Sequence, residues 1–339
     1  MKSLFDKTNI KNVELKNRFI RSAVWEGIAD SEGHIYNNYL ELYDKISRGG
    51  IGLIILGYST IFSYDKPSNN ISGIYDDSFI EGYKKVIDVI HKNGSKAVCQ
   101  IVLGKEYVNK KDKFSSYDFT DDYKREYIED IIDSFTMAAL RVKKAGFDGV
   151  QLHCAHGYFL SRTLSPLYNK RTDEYGEKRY RLITEVYESV RKVVGDDYVI
   201  GMKINCCDKE EQGAKFQDCY DTCIAVDKLG IDFIEISGGN FYESKFRGKE
   251  SVYKEEAIKI AENVKCSVAL VALNRTIENM NNILNSSYIE YMSLARPIIC
   301  ENDLIKKYEN DNSYKPRCVS CGKCYVDEKG NKCILNKRA

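Results

Sequence analysis

Eight short apolar runs constrain this chain more than any other feature. They fall at 19–24, 51–56, 97–102, 149–153, 199–204, 233–237, 268–272 and 289–294. In runs such as 51–56 and 268–272 the apolar residues do not alternate with polar ones, the pattern of strands buried on both faces. Between them lie stretches with apolar residues at helical spacing, 130–145 and 181–194 among them. Strands alternating with helices define an α/β chain with a parallel sheet. Eight such units in 339 residues predict a single closed (β/α)8 TIM barrel. An open doubly wound sheet is the competing arrangement, weakened because no G-x-G-x-x-G follows the first run. The barrel is expected over residues 1–310. A short cysteine-rich C-terminal extension, 311–339, is expected to pack on it.

Charge narrows the partners. Lys and Arg number 51 against 50 Asp and Glu, a net charge of +1, so nothing points to nucleic acid. No apolar run approaches the roughly 20 residues that span a bilayer. The first six residues lack the apolar stretch of a signal peptide. A cytoplasmic protein with no membrane partner is therefore expected. Its 12 cysteines read as thiols or metal ligands before disulfides.

A barrel carries a functional expectation of its own, because its loops converge on one mouth at the C-terminal ends of the strands. Gln100, His153 with His156, Lys203, Ser237 and Arg296 all fall at or near such ends. That placement points to an enzyme acting on a small-molecule substrate. His153 and His156 could each donate one N–H to the same oxygen atom. Two donors there would stabilise the charge that hydride addition places on a carbonyl or nitro oxygen. Tyr158, two residues on, could supply a proton. The plainer reading is a structural histidine beside a core tyrosine; a pair at a strand end favours the site.

The stretch Ala145-Gly146-Phe147-Asp148-Gly149-Val150-Gln151-Leu152-His153-Cys154-Ala155-His156-Gly157-Tyr158 resembles the catalytic segment of the old yellow enzyme family. So does its continuation through Leu164-Ser165-Pro166 to Asn169-Lys170-Arg171-Thr172-Asp173-Glu174-Tyr175-Gly176. Asn17-Arg18, the segment 54–57 and Leu294-Ala295-Arg296-Pro297 match as well, so the resemblance spans nearly the whole chain. It implies an FMN-containing (β/α)8 barrel that takes hydride from NAD(P)H and passes it to an electron-poor double bond.

Carried over, the resemblance implies that His153 and His156 hold the substrate's activating oxygen and that Tyr158 protonates its α carbon. Ala23, Trp25 and Gly57 would lie against the flavin, and Gln100 would hydrogen-bond its pyrimidine. Lys203 stands where many relatives have arginine. A cation there would stabilise negative charge near flavin N1 and O2, though as a point charge without arginine's fork. A lysine reaching out from the barrel rim is the alternative. Arg296 would meet the FMN phosphate with backbone N–H groups, or else form a surface ion pair.

Three departures matter. The usual glycine pair after strand seven reads Ala272-Leu273-Asn274-Arg275, with Arg275 a candidate for compensating at the phosphate. The histidine-containing turn after Gln100 is replaced, and the loop that follows, 107–122, reads as polar and rich in Lys, Asp and Tyr. Trp25 stands near the place of a small flavin-tuning residue, and could narrow the pocket or pack elsewhere.

The extension carries Cys318, Cys321, Cys324 and Cys333, spaced C-x2-C-x2-C-x8-C. Three close thiolates and a remote fourth suit a [4Fe–4S] cluster. Zinc, or no metal, are the alternatives. The segment resembles the cluster-binding tail of trimethylamine dehydrogenase and dienoyl-CoA reductase. Those enzymes continue into nucleotide-binding domains, which this chain, ending at Ala339, is expected to lack. A cluster would exchange single electrons with a ferredoxin or flavodoxin-like carrier. The leading expectation is an FMN-dependent ene-reductase. A flavin/iron–sulfur dehydrogenase or demethylase is the second reading, and a non-catalytic metal-binding or electron-carrier barrel the third. The substrate, the choice of NADH or NADPH, the direction of electron flow and the oligomeric state, a homo-oligomer included, stay open.

Overall fold

The computed structural model describes residues 1–239, 246 and 248–338. Eight parallel strands close into a barrel. They are β1 (Phe19–Arg21), β2 (Leu53–Thr60), β3 (Lys96–Val102), β4 (Gly149–Cys154), β5 (Val199–Asn205), β6 (Phe233–Ser237), β7 (Ser267–Val271) and β8 (Tyr291–Leu294). Each pairs with its successor, and β8 closes on β1 through Met292 opposite Phe19 and Leu294 opposite Arg21. All eight apolar runs are strands of this one sheet, so the closed barrel stands over the open sheet.

Alternation along the strands divides the core in two. Ile20, Leu53, Ile55, Val98, Val199, Phe233, Ala269 and Tyr291 form the interior cluster. Ile10 and Leu15, from an N-terminal hairpin (Thr8–Ile10 with Val13–Leu15), join it and cap the far end from the mouth. Residues of the other parity, such as Phe19, Ile54, Ala97 and Val150, pack outward in the larger cluster with the helices. Each fully buried side chain of this kind contributes about 1.5–3 kcal/mol. Space inside the barrel is tight. A Cβ on Gly201 would come within 2.2 Å of the Phe233 ring, so only glycine lets phenylalanine cross the interior there.

Some boundaries differ from the apolar pattern. β2 continues to Thr60 because Ser59 and Thr60 pair with Ile101 and Val102 of β3 after an irregularity at Leu56. Its polar residues are satisfied internally: the Ser59 hydroxyl shares a 2.6 Å hydrogen bond with that of Tyr83. The helix expected over 130–145 spans Arg125–Lys144, its first turn already burying Tyr127 and Ile128. The helix at Arg181–Val194 matches its expected bounds.

The loop that reads as polar contains an antiparallel hairpin, Tyr107–Asn109 with Phe114–Ser116. Tyr107 of this loop is a core residue, whereas Tyr117 is exposed. Tyr107 and Tyr123 are buried, and the Phe114 and Tyr127 rings stack with centroids 4.8 Å apart. The Tyr107 hydroxyl donates to Asp130 at 2.7 Å.

After the helix Leu304–Asn310 the extension returns to the mouth. It folds a second hairpin, Tyr325–Asp327 with Gly330–Lys332. The Asn331 amide donates to the Trp25 carbonyl beyond β1. No helix among the described residues is long and apolar enough to cross a membrane.

Candidate active site

The chain after β4 turns sharply. His156 and Gly157 both take positive φ, +61° and +74°, a conformation that costs a non-glycine residue energy and marks functional turns when kept. The turn brings His153 and His156 together, ring centroids 5.1 Å apart and nearly perpendicular. Tyr158 stands against His153, also at 5.1 Å. The three residues expected to act on substrate are therefore one cluster.

Their electrostatics suit neutral donors. His153 is 2% exposed, and its Nδ1 is buried with no hydrogen-bond partner. A buried polar atom left unpaired is what a site made for a ligand shows. Burial, then the neighbouring His156 and Lys203, hold the His153 imidazole well below its usual range. The His156 ring is reachable through the mouth but sits low among protein atoms. Burial and the Lys203 charge push its pKa down to about 3. Its Nε2 shares a 3.0 Å hydrogen bond with the Ser237 hydroxyl, which fixes the ring's orientation. Both imidazoles are thus neutral near pH 7, each carrying one N–H.

The Tyr158 hydroxyl donates to that of Tyr58 at 2.6 Å, and Tyr58 in turn shares a 2.8 Å bond with Ser68. Burial raises the pKa of both phenols, keeping Tyr158 protonated and able to donate. Tyr58 escaped the sequence reading because it lies just past the apolar run of β2.

Beside this cluster opens a cavity of about 390 Å³ at the C-terminal ends of β1, β5, β6, β7 and β8. Ala23, Trp25, His156, Lys203, Ser237 and Arg296 line it. Lys203 is buried, not a rim lysine in water: its Nζ donates to the Ser22 hydroxyl at 2.6 Å. Trp25 lines the cavity, and its indole N–H donates to the Asn69 carbonyl at 2.9 Å. Arg296 opens the helix Arg296–Cys300 and donates to the Ser320 carbonyl at 3.3 Å.

Gly57 and Gln100 lie beneath this wall instead of on it. A Cβ on Gly57 would meet the Gln100 carbonyl at 2.8 Å. The Gln100 amide donates to Gln151 Oε1 at 2.7 Å. Arg275 is not among the residues around the cavity. Its guanidinium reaches the Gly248 and Lys249 carbonyls and pairs with Glu250, which ties the loop after β7 to its neighbour. The position that strains that loop is Leu273, at φ +62°. Leu273 and Asn274, the latter anchored to the Leu270 carbonyl at 2.7 Å, face the cavity there.

The extension forms the remaining wall, with Ser320, Gly322, Cys324, Tyr325, Val326 and Asn331 facing inward. Cys318 and Cys333 are buried together with Cys300, while Cys321 is exposed. Burial pushes the Cys324 thiol up to about 11. Among the described residues no three ligating side chains are gathered as a metal site.

A closed parallel barrel whose mouth holds a cavity, a buried lysine and a histidine pair is the arrangement of a barrel enzyme. The family is explicit in the sequence: residues 3–314 match the NADH:flavin oxidoreductase / NADH oxidase family, and the chain belongs to it. FMN as cofactor and NAD(P)H as reductant go with that membership. The fold is similar to that of 2-naphthoyl-CoA reductase, with TM-score 0.83 and 22% identity over 91% of this chain and 52% of that one. The old yellow enzyme homologue from Zymomonas mobilis gives TM-score 0.79 and 21% identity over 97% and 98%. Histamine dehydrogenase from Rhizobium sp. 4-9 gives TM-score 0.79 and 22% identity over 91% and 48%. The chain thus spans about half the length of the first and third, and nearly all of the second.

Proposed function

We propose that this flavin-dependent oxidoreductase is an ene-reductase acting on an activated C=C bond, such as that of an α,β-unsaturated carbonyl compound. The observation that carries the reading is the pair of imidazoles with ring centroids 5.1 Å apart, one with an unpaired buried nitrogen, beside the Tyr158 phenol. FMN would be held in this cavity by residues of fitting chemistry: Lys203 would supply a buried cation for the ring's N1–O2 edge, Ala23 and Trp25 would lie against the ring, and Arg296 would be the phosphate's counter-charge. Gln100 would act through Gln151 or by turning its amide toward the pyrimidine. Bound FMN would supply hydride taken from NAD(P)H. His153 and His156 bind the substrate's activating oxygen and stabilise its developing charge. Tyr158 holds the proton for the α carbon, and Tyr58 and Ser68 offer a path for its replacement.

A second reading has the extension carry electrons. Cys324 faces the same cavity as Lys203, and the spacing of Cys318, Cys321, Cys324 and Cys333 suits a [4Fe–4S] cluster, with zinc as the other occupant. Among the described residues these thiols are not gathered as a metal site. One-electron exchange with a ferredoxin or flavodoxin-like carrier would follow from a cluster, and would favour a dehydrogenase or demethylase. An anaerobic absorption spectrum with iron, sulfide and zinc analysis decides. Flavin bands that NADH bleaches, with turnover of an enone, support the first reading. Flavin bleached by amines and not by NADH would replace it with the second.

A further inference from the structure

Beneath the cavity the barrel interior holds a chain of polar side chains that an apolar core does not require. Glu235, on β6, is 0% exposed. Its Oε2 lies 3.4 Å from Lys203 Nζ and accepts from Gln151 Nε2 at 3.2 Å. The Ser293 hydroxyl donates to its other oxygen. Gln151 accepts in turn from Gln100. All three partners of Glu235 donate, as an ionised carboxylate requires.

A buried carboxylate is costly unless its surroundings repay it. Here the repayment comes from one ammonium and two neutral donors, and the ammonium is the one facing the cavity. Lys203 lines the cavity wall and Glu235 does not. Glu235 therefore reaches the cofactor site through Lys203 and Ser293, of which only Lys203 carries a charge. We infer that Glu235 is a positioning residue that holds the Lys203 ammonium and offsets its charge, setting how strongly the site favours reduced flavin. This rests on the flavin reading above. Reduction places negative charge at the N1–O2 edge of the ring. An unpaired lysine would stabilise that charge strongly, whereas a lysine paired with Glu235 does so less. Gln100 and Gln151 extend the same network to β3 and β4, so the pair is held from several strands.

The test is the midpoint potential of the holoenzyme, by anaerobic titration, in wild type, E235Q, K203Q and the double variant. E235Q keeps one acceptor oxygen, and the Ser293 hydroxyl can turn to accept from the new amide NH2 while Gln151 donates to that oxygen. It is expected to raise the equilibrium constant for flavin reduction by roughly tenfold or more, as loss of a charge several ångströms away implies. K203Q is expected to lower it. The double variant, neutral like the wild-type pair, is expected to return close to wild type. It decides the matter even if E235Q, left with an unpaired lysine, does not fold. A double variant whose potential falls as far as that of K203Q, or a folded E235Q with the wild-type potential, overturns the inference. Protein purified without any flavin would instead overturn the reading on which it rests.

Discussion

The chemistry is concentrated in a few residues whose charge state burial decides. His153 and His156 are held below their usual range, so the folded protein refuses protons that the unfolded chain accepts near pH 6.5. The stability this contributes is complete above about pH 6.5 and falls away as pH drops toward the folded values. Thermal melts should show wild type losing stability between about pH 6.5 and 5 more steeply than the H153N/H156N variant, since that is where the unfolded imidazoles titrate. Equal slopes would mean that the imidazoles are not held neutral. Tyr158 gives a kinetic counterpart. Y158F should slow substrate reduction by about 10²–10⁴-fold while leaving flavin reduction by NADH unchanged, the range typical of a lost proton donor. Stopped-flow measurement of the two half-reactions separates these. His153 and Lys203 stood out in the sequence because they fall at or near the ends of apolar runs, and His156 and Tyr158 because they belong to the same recognisable segment as His153. Gln151 and Glu235 went unnoticed, although a parity count places them two residues before His153 and Ser237, on the same inward face. Arg275 looked available for the phosphate because its sequence position follows β7. Its guanidinium is taken by Gly248, Lys249 and Glu250.

At the level of elements, short apolar-rich runs located every barrel strand, because a strand buried on both faces carries few exposed polar positions. The runs could not mark where pairing ends, since Ser59 and Thr60 of β2 are polar yet internally bonded. The hairpin at 107–116 was hidden for a related reason: its buried surface is tyrosine, whose hydroxyls find partners such as Asp130, so it reads as polar. Glycine at 201 is an element-scale constraint set by a neighbouring strand. G201A places a methyl into the Phe233 ring and should cost about 1–3 kcal/mol by overpacking. Chemical denaturation would register this as a lower midpoint, and an unchanged midpoint would show that Phe233 can move aside.

Over the whole molecule, barrel and extension make one site. Eight runs predicted closure, and the mouth lies where a closed barrel puts it. That the extension walls the cavity could not be read from the sequence, because its contacts join residues some 300 positions apart, as in Asn331 to Trp25. Removing residues 315–339 should leave the barrel folded but open its cavity on one side. Flavin affinity is then expected to fall by roughly tenfold or more, about 1.4 kcal/mol per tenfold, with far-UV circular dichroism little changed. Full retention of flavin would show that the extension is not a wall of the cofactor site.

The proposed function requires His153 and His156, as neutral imidazoles, to hold a ligand oxygen beside bound FMN. Titrating the anaerobic holoenzyme with a substituted phenol measures this directly, because a phenolate oxygen held there gives a long-wavelength ligand-to-flavin absorption. Wild type should develop that band, and the H153A/H156A variant, still carrying flavin, should not. The same band persisting undiminished in the double variant would contradict the account.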